Sequence, residues 1–88
     1  MTNDLASRAA QTARALEKAA REAKMFISGD GRISESDCGK LLGYSVQHLK
    51  NMRAEGRGPE VFRVGMNGCR LSYRLIDLAM WIERNREF

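Results

Sequence analysis

Apolar positions along the 88-residue chain fall into helical rhythms broken by short glycine-marked segments. From Asp4 to about Lys24, Leu5, Ala9, Thr12, Leu16, Ala19 and Ala23 recur at alternating intervals of four and three, with Phe26 following. That is a heptad seam, in a stretch free of Gly and Pro and dominated by good helix formers. Asn3 or Asp4 stands where a cap is needed. A seam made mostly of alanine permits close helix–helix approach but offers little apolar area. Three arrangements suit it: self-association through Leu5, Ala9, Thr12, Leu16, Ala19 and Ala23, docking on the chain's own domain, or a frayed arm.

Ile27-Ser28-Gly29-Asp30-Gly31-Arg32 reads as a linker, because two glycines around an aspartate mark a turn. It resembles a calcium loop only superficially. With Gly31 as the sixth position, the first ligand falls on Phe26, which cannot coordinate. Beyond the linker, Ser34 caps a short helix with Glu35 and Asp37 in its first turn and Cys38, Leu41 and Leu42 on its apolar face. Gly43 ends it, Tyr44 fills the turn, and Ser45 caps a second helix from Val46 to about Ala54. The spacing turns Val46, Leu49 and Met52 inward and Gln47, His48, Lys50, Asn51 and Arg53 outward.

Glu55-Gly56-Arg57-Gly58-Pro59 breaks that helix. Val61–Val64 and Cys69–Tyr73 read as two strands joined by Gly65-Met66-Asn67-Gly68, in which Asn67-Gly68 is a strong hairpin signal. Leu75 to about Arg86 closes the chain as a helix, with Ile76, Leu78, Ala79, Ile82 and a core-anchoring Trp81 as its apolar surface. The expected fold is mainly α with a small β-hairpin: an Ala-rich N-terminal helix over 1–26, a linker over 27–32, and a compact helix–turn–helix–hairpin–helix module over 33–88.

The charge distribution says where a partner would bind. The net charge is +4, and residues 48–74 hold six cations, Lys50, Arg53, Arg57, Arg63, Arg70 and Arg74, against Glu55 and Glu60. A polyanion is the natural complement of that excess, although a solvated basic surface would have the same composition. The outward set of the second helix is more specific. Amides of Gln and Asn bond adenine edges in two places at once, Arg does so with guanine, and free N–H groups near Ser45 suit a phosphate. His48 fits either a DNA contact or an ordinary surface position.

The run Ile33-Ser34-Glu35-Ser36-Asp37-Cys38-Gly39-Lys40-Leu41-Leu42-Gly43-Tyr44-Ser45, followed by Glu55–Pro59, the hairpin, and Tyr73-Arg74 before Asp77-Leu78-Ala79-Met80-Trp81-Ile82, resembles the MerR-like winged helix-turn-helix family. That group includes phage excisionases and AlpA-type regulators. The resemblance spans about 33–86, and the N-terminal helix is an addition to the family's minimal module. It implies a winged helix-turn-helix whose Ser45–Ala54 helix enters the major groove. Ser45, Gln47, His48, Lys50, Asn51 and Arg53 would form the recognition set. Arg63, Arg70 and Asn67 would make wing contacts, and Arg57 and Arg74 would take phosphates.

Other chemistries find little footing. There is no Ser/His/Asp set, no carboxylate pair in an apolar pocket and no phosphate-cradling glycine loop, so an enzyme is not expected. With one histidine and two distant cysteines, no metal site is expected either, nor a disulfide framework, and no cofactor is implied. No apolar run reaches the roughly 18 residues of a membrane span, and residues 1–24 lack the apolar core of a signal peptide. The expected function is sequence-specific binding of double-stranded DNA in the cytoplasm of a bacterial or phage-infected cell. The chain would act as a transcriptional regulator or excisionase-like factor, as a homodimer or cooperative oligomer, with a recombinase or another phage protein as a further partner. A DNA-binding subunit of a phage packaging complex and a protein-binding module are the alternatives.

Overall fold

The computed structural model describes residues 4–64 and 70–86, with the side chains of Val64 and Arg70 left aside. In chain order the elements are α1 (Leu5–Glu22), β1 (Arg32–Ser34), α2 (Glu35–Leu42), α3 (Val46–Ala54), β2 (Phe62–Val64), β3 (Arg70–Arg74) and α4 (Leu75–Asn85). The protein is thus mainly helical, with a three-stranded antiparallel sheet in the order β1-β3-β2. Among the described residues no helix is long and apolar enough to cross a membrane.

Local chemistry sets most element boundaries. The Asp4 carboxylate accepts from the Ser7 N–H at 2.7 Å, the Ser34 hydroxyl from Asp37 N–H at 3.1 Å, and the Ser45 hydroxyl from His48 N–H at 3.0 Å. Each satisfies a donor that an α-helix start leaves open. Gly43 stops α2 in the left-handed region at φ 79°, where a side chain would be strained.

β1 takes Arg32, the last residue of the expected linker 27–32, together with Ile33 and Ser34 beyond it. Arg32, Ile33 and Ser34 pair with Arg74, Tyr73 and Ser72 of β3, so the expected hairpin becomes the larger part of a three-stranded sheet. The Asp30 turn feeds this strand. Ser28 N–H donates to the Arg32 carbonyl, and the Ser28 hydroxyl accepts from Arg32 N–H at 2.8 Å. Alternation along β1 and β3 turns Ile33 and Tyr73 into the core and Arg32, Ser72 and Arg74 to the other face.

The core is one cluster of Ile33, Cys38, Leu49, Met52, Tyr73, Leu75 and Leu78, with Leu41, Leu42, Val61 and Trp81 packed around it. α2 and α3 meet closely because Gly39 has no side chain: a Cβ there would lie 2.5 Å from the Tyr44 carbonyl oxygen. Burial raises the Cys38 thiol to about 12, with the nearby Glu35 carboxylate adding to the effect.

α1 lies mainly against α4. Of the three arrangements open to it, the fold takes docking on its own domain, and this alters the reading of its seam. Ala9 and Ala20 are fully buried, Leu16 packs against the core, and Thr12 bonds to α4, whereas Ala19 and Ala23 are exposed. The stripe in use is Ala9-Thr12-Leu16-Ala20. At 3.6 residues per turn the contact line of a straight helix drifts off a seven-residue repeat, so Ala20 takes the place expected of Ala19.

A carboxylate that the sequence reading did not single out completes this contact. Glu83 is 3% exposed. It accepts from Thr12 Oγ1 at 2.8 Å, Arg8 Nε at 3.3 Å and Arg86 at 3.1 Å. The Thr12 hydroxyl, with Arg86 and Arg8, holds its carboxyl below the usual range despite its burial.

Candidate nucleic-acid interface

α3 buries Leu49 and Met52 against the core, and the helical period turns Gln47, Lys50, Asn51 and Ala54 to the opposite side, where all four are exposed. Gln47 Nε2 donates to Asn51 Oδ1 at 3.0 Å, so the two amides form one coupled polar unit along the helix. This leaves the Gln47 oxygen and the Asn51 amino group facing outward as acceptor and donor. Lys50 stands beside them and, among the described residues, forms no ion pair.

The flanks of α3 differ from the expected pattern. Val46, read as an inward residue, is 36% exposed. Leu49 and Met52 already fill the space under the helix, and Val46 falls on its edge. His48 lies on the other edge, with its ring 4.8 Å from that of Tyr44 in an edge-on contact; Tyr44 in turn stands 6.5 Å from Trp81. The Trp81 indole N–H donates to the Arg57 carbonyl at 2.9 Å, and the ring packs on the core as expected. Ser45 remains a cap, its oxygen turned to the backbone of its own helix.

Arg53 departs most from its expected role. Its guanidinium pairs with Glu35 and lies 3.2 Å from the Tyr73 hydroxyl, which itself donates to Glu35 at 2.8 Å. This triangle ties α3 to α2 and β3, and only 21% of the Arg53 side chain is exposed. The residue is therefore a brace for the helix, not part of its outward face. Burial, followed by the bond to Glu35, pushes the Tyr73 hydroxyl up to about 12.

The remaining cations divide between two sides of the sheet. Arg63 is exposed, sits opposite Leu71 in the register, and therefore lies on the face that carries the helices. No ion pair holds it among the described residues. Arg74 lies on the opposite face. Its guanidinium is 5.1 Å above the Phe62 ring and 3.7 Å from Asp30. Arg32 stacks on the same ring at 4.6 Å and bonds both oxygens of Asp30 at 2.8 and 2.9 Å. The Ser28 hydroxyl, then Arg32, hold the Asp30 carboxyl at about 2. Arg74 is thus engaged away from α3, in a cluster with Arg32, Phe62 and Asp30 that the sequence reading did not assemble. Arg57 is exposed and paired with Glu55 two residues away. Asn67 and the side chain of Arg70 lie outside the described residues.

The structure therefore joins Gln47, Lys50 and Asn51 on one surface, with His48 at its margin and Arg63 on the same side of the sheet. It separates Arg53 and Arg74 from them. Compared with protein-family models, curated proteins and solved structures, the chain gives no match.

Proposed function

We propose that this chain binds double-stranded DNA as a winged helix-turn-helix protein. In this reading α2 and α3 are the helix pair, the β2–β3 hairpin is the wing, and α1 is an added support. The observation that carries the proposal is the outward face of α3. A helix exposed only to solvent gains most from Glu/Lys pairs, whereas this one presents two coupled amides and an uncommitted lysine. Side chains of this kind bond base edges in the major groove, while Lys50 and Arg63 suit phosphates. The role is regulatory or architectural, in the manner of a transcription factor or an excisionase, and involves no catalysis. A module of this size covers roughly 600–1,000 Å² and few base pairs. Useful selectivity then comes from repeated sites, a second copy or a recombinase-like partner. Such contacts use surfaces other than the Ala9–Ala20 stripe, which α4 already covers.

Fluorescence anisotropy with the full chain and a random-sequence duplex, over a series of salt concentrations, tests the proposal. Affinity should fall with log salt at a slope of about −0.9 per phosphate contacted. On a duplex selected from a random pool, Gln47→Ala or Asn51→Ala should cost about 1–3 kcal/mol while leaving random-duplex binding nearly unchanged. Equal losses on both duplexes, or no retention of any duplex, would defeat the reading.

A further inference from the structure

We infer that the reading face of α3 is built for an A·T pair bordered by thymine, and that Val46 is a specificity-determining residue of that face. The inference rests on the DNA-binding reading and adds to it the class of base pair recognised. Three observations converge on it. First, Arg53 is the only arginine of α3, and it is bound to Glu35 and Tyr73. The guanidinium, whose planar fork bonds guanine in two places, is therefore absent from the outward face, which keeps only the point charge of Lys50. Second, what remains at the centre of that face is the coupled amide pair of Gln47 and Asn51. A carboxamide oxygen and amino group match the N6 donor and N7 acceptor of adenine.

Third, Val46 is 36% exposed on the edge of α3 when the hydrophobic pattern alone would have turned it inward. It stands four residues before Lys50, on the row next to Gln47 and Asn51, in the first turn of the helix. An isopropyl group on that edge gains nothing from water. In a major groove its complement is the one apolar group the bases offer there, the C5 methyl of thymine. An adenine bonded by the amides brings its own thymine to the same groove floor, and a neighbouring A·T pair supplies a second methyl. Lys50 shares the row of Val46 one turn on, and its longer side chain can reach the backbone.

The test selects bound duplexes from a random pool with the full chain at fixed salt, then sequences them. The expected pool is enriched in A·T at the position contacted by α3. Replacing the enriched thymine by uracil, which removes only the methyl group, should weaken the wild-type protein about fourfold, the equivalent of one buried methyl. Val46→Ala should bind the thymine and uracil duplexes equally. Val46 lies on the edge of α3 and outside the core cluster, and a thermal scan checks that the variant remains folded. A pool enriched in G·C at that position, a pool with no preference, or a wild-type protein indifferent to uracil would overturn the inference while leaving DNA binding intact. Failure to retain any duplex would instead remove the DNA-binding reading and this inference with it.

Discussion

At the contact between α1 and α4, one carboxylate gathers three side chains: Glu83 holds Arg8, Thr12 and Arg86, and the buried Ala9 and Ala20 let the α1 backbone lie close. On the outward face of α3 the arrangement is the reverse. Gln47 and Asn51 bond only each other, and Lys50 has no carboxylate beside it among the described residues. The two regions draw on similar side chains. The first is closed, because each buried charge must be answered by a partner or lose stability. The second stays open, because solvent can answer its groups until something else does. The same contrast appears within α3 itself, where Arg53 is committed to the fold and Lys50, one turn earlier, is not.

The largest effect should come from the committed residue. Arg53→Ala leaves Glu35 without its cation and the Tyr73 hydroxyl without one neighbour. Loss of a hydrogen bond to a charged group costs about 1.5–3 kcal/mol, measurable by urea denaturation. If this variant melted with the parent, the brace between α2, α3 and β3 would have no energetic content.

The core near that brace also predicts a pH dependence. Cys38 ordinarily ionises near 9.0 and Tyr73 near 10.0, and both are raised to about 12 in the folded protein. Below about pH 9 both states keep these protons and the stabilisation is complete. Above it the unfolded chain releases protons that the folded chain retains, so stability falls as pH rises from 9 towards 12. Thermal melts across that range should show the decline, and Cys38→Ala should delay its onset to near pH 10. A flat profile from 9 to 12 would show that neither group is held in its protonated form by the fold.

The smallest effect on stability should belong to Lys50. Lys50→Ala should change the unfolding free energy by no more than about 0.5 kcal/mol, as for other surface positions. It should nevertheless weaken binding to all duplexes alike and reduce the salt slope by about one. Measured with Arg53→Ala, it completes the comparison: one cation whose loss is felt by the fold, and one whose loss is felt by the ligand.

Much of this architecture was legible because its determinants are local. Ser34, Gly43 and Ser45 mark α2 and α3 within a residue, since a cap acts on backbone groups three residues away or fewer. β1 was not legible. Its three residues sit after two glycines, and what makes them a strand is the partner row Ser72–Arg74 some forty positions later. The same distance hid the role of Arg53, whose partners Glu35 and Tyr73 lie on other elements, and of Arg74, drawn to Asp30 and Phe62. The inward expectation for Val46 fails because a spacing of three residues is shared by 46–49 and 49–52, and only packing decides which pair lies beneath the helix. Glu83 did leave a trace. It continues the row Leu75-Ala79 at intervals of four, a carboxylate on an otherwise apolar stripe, where burial requires a partner.

The bond from the Trp81 indole to the Arg57 carbonyl has a practical consequence. The chain contains a single tryptophan, and it joins the segment following α3 while standing near Tyr44 at the start of that helix. Movement at either end of α3 alters the polarity around this one fluorophore. The protein therefore carries an intrinsic optical gauge of the position of α3, readable by emission wavelength without any attached dye.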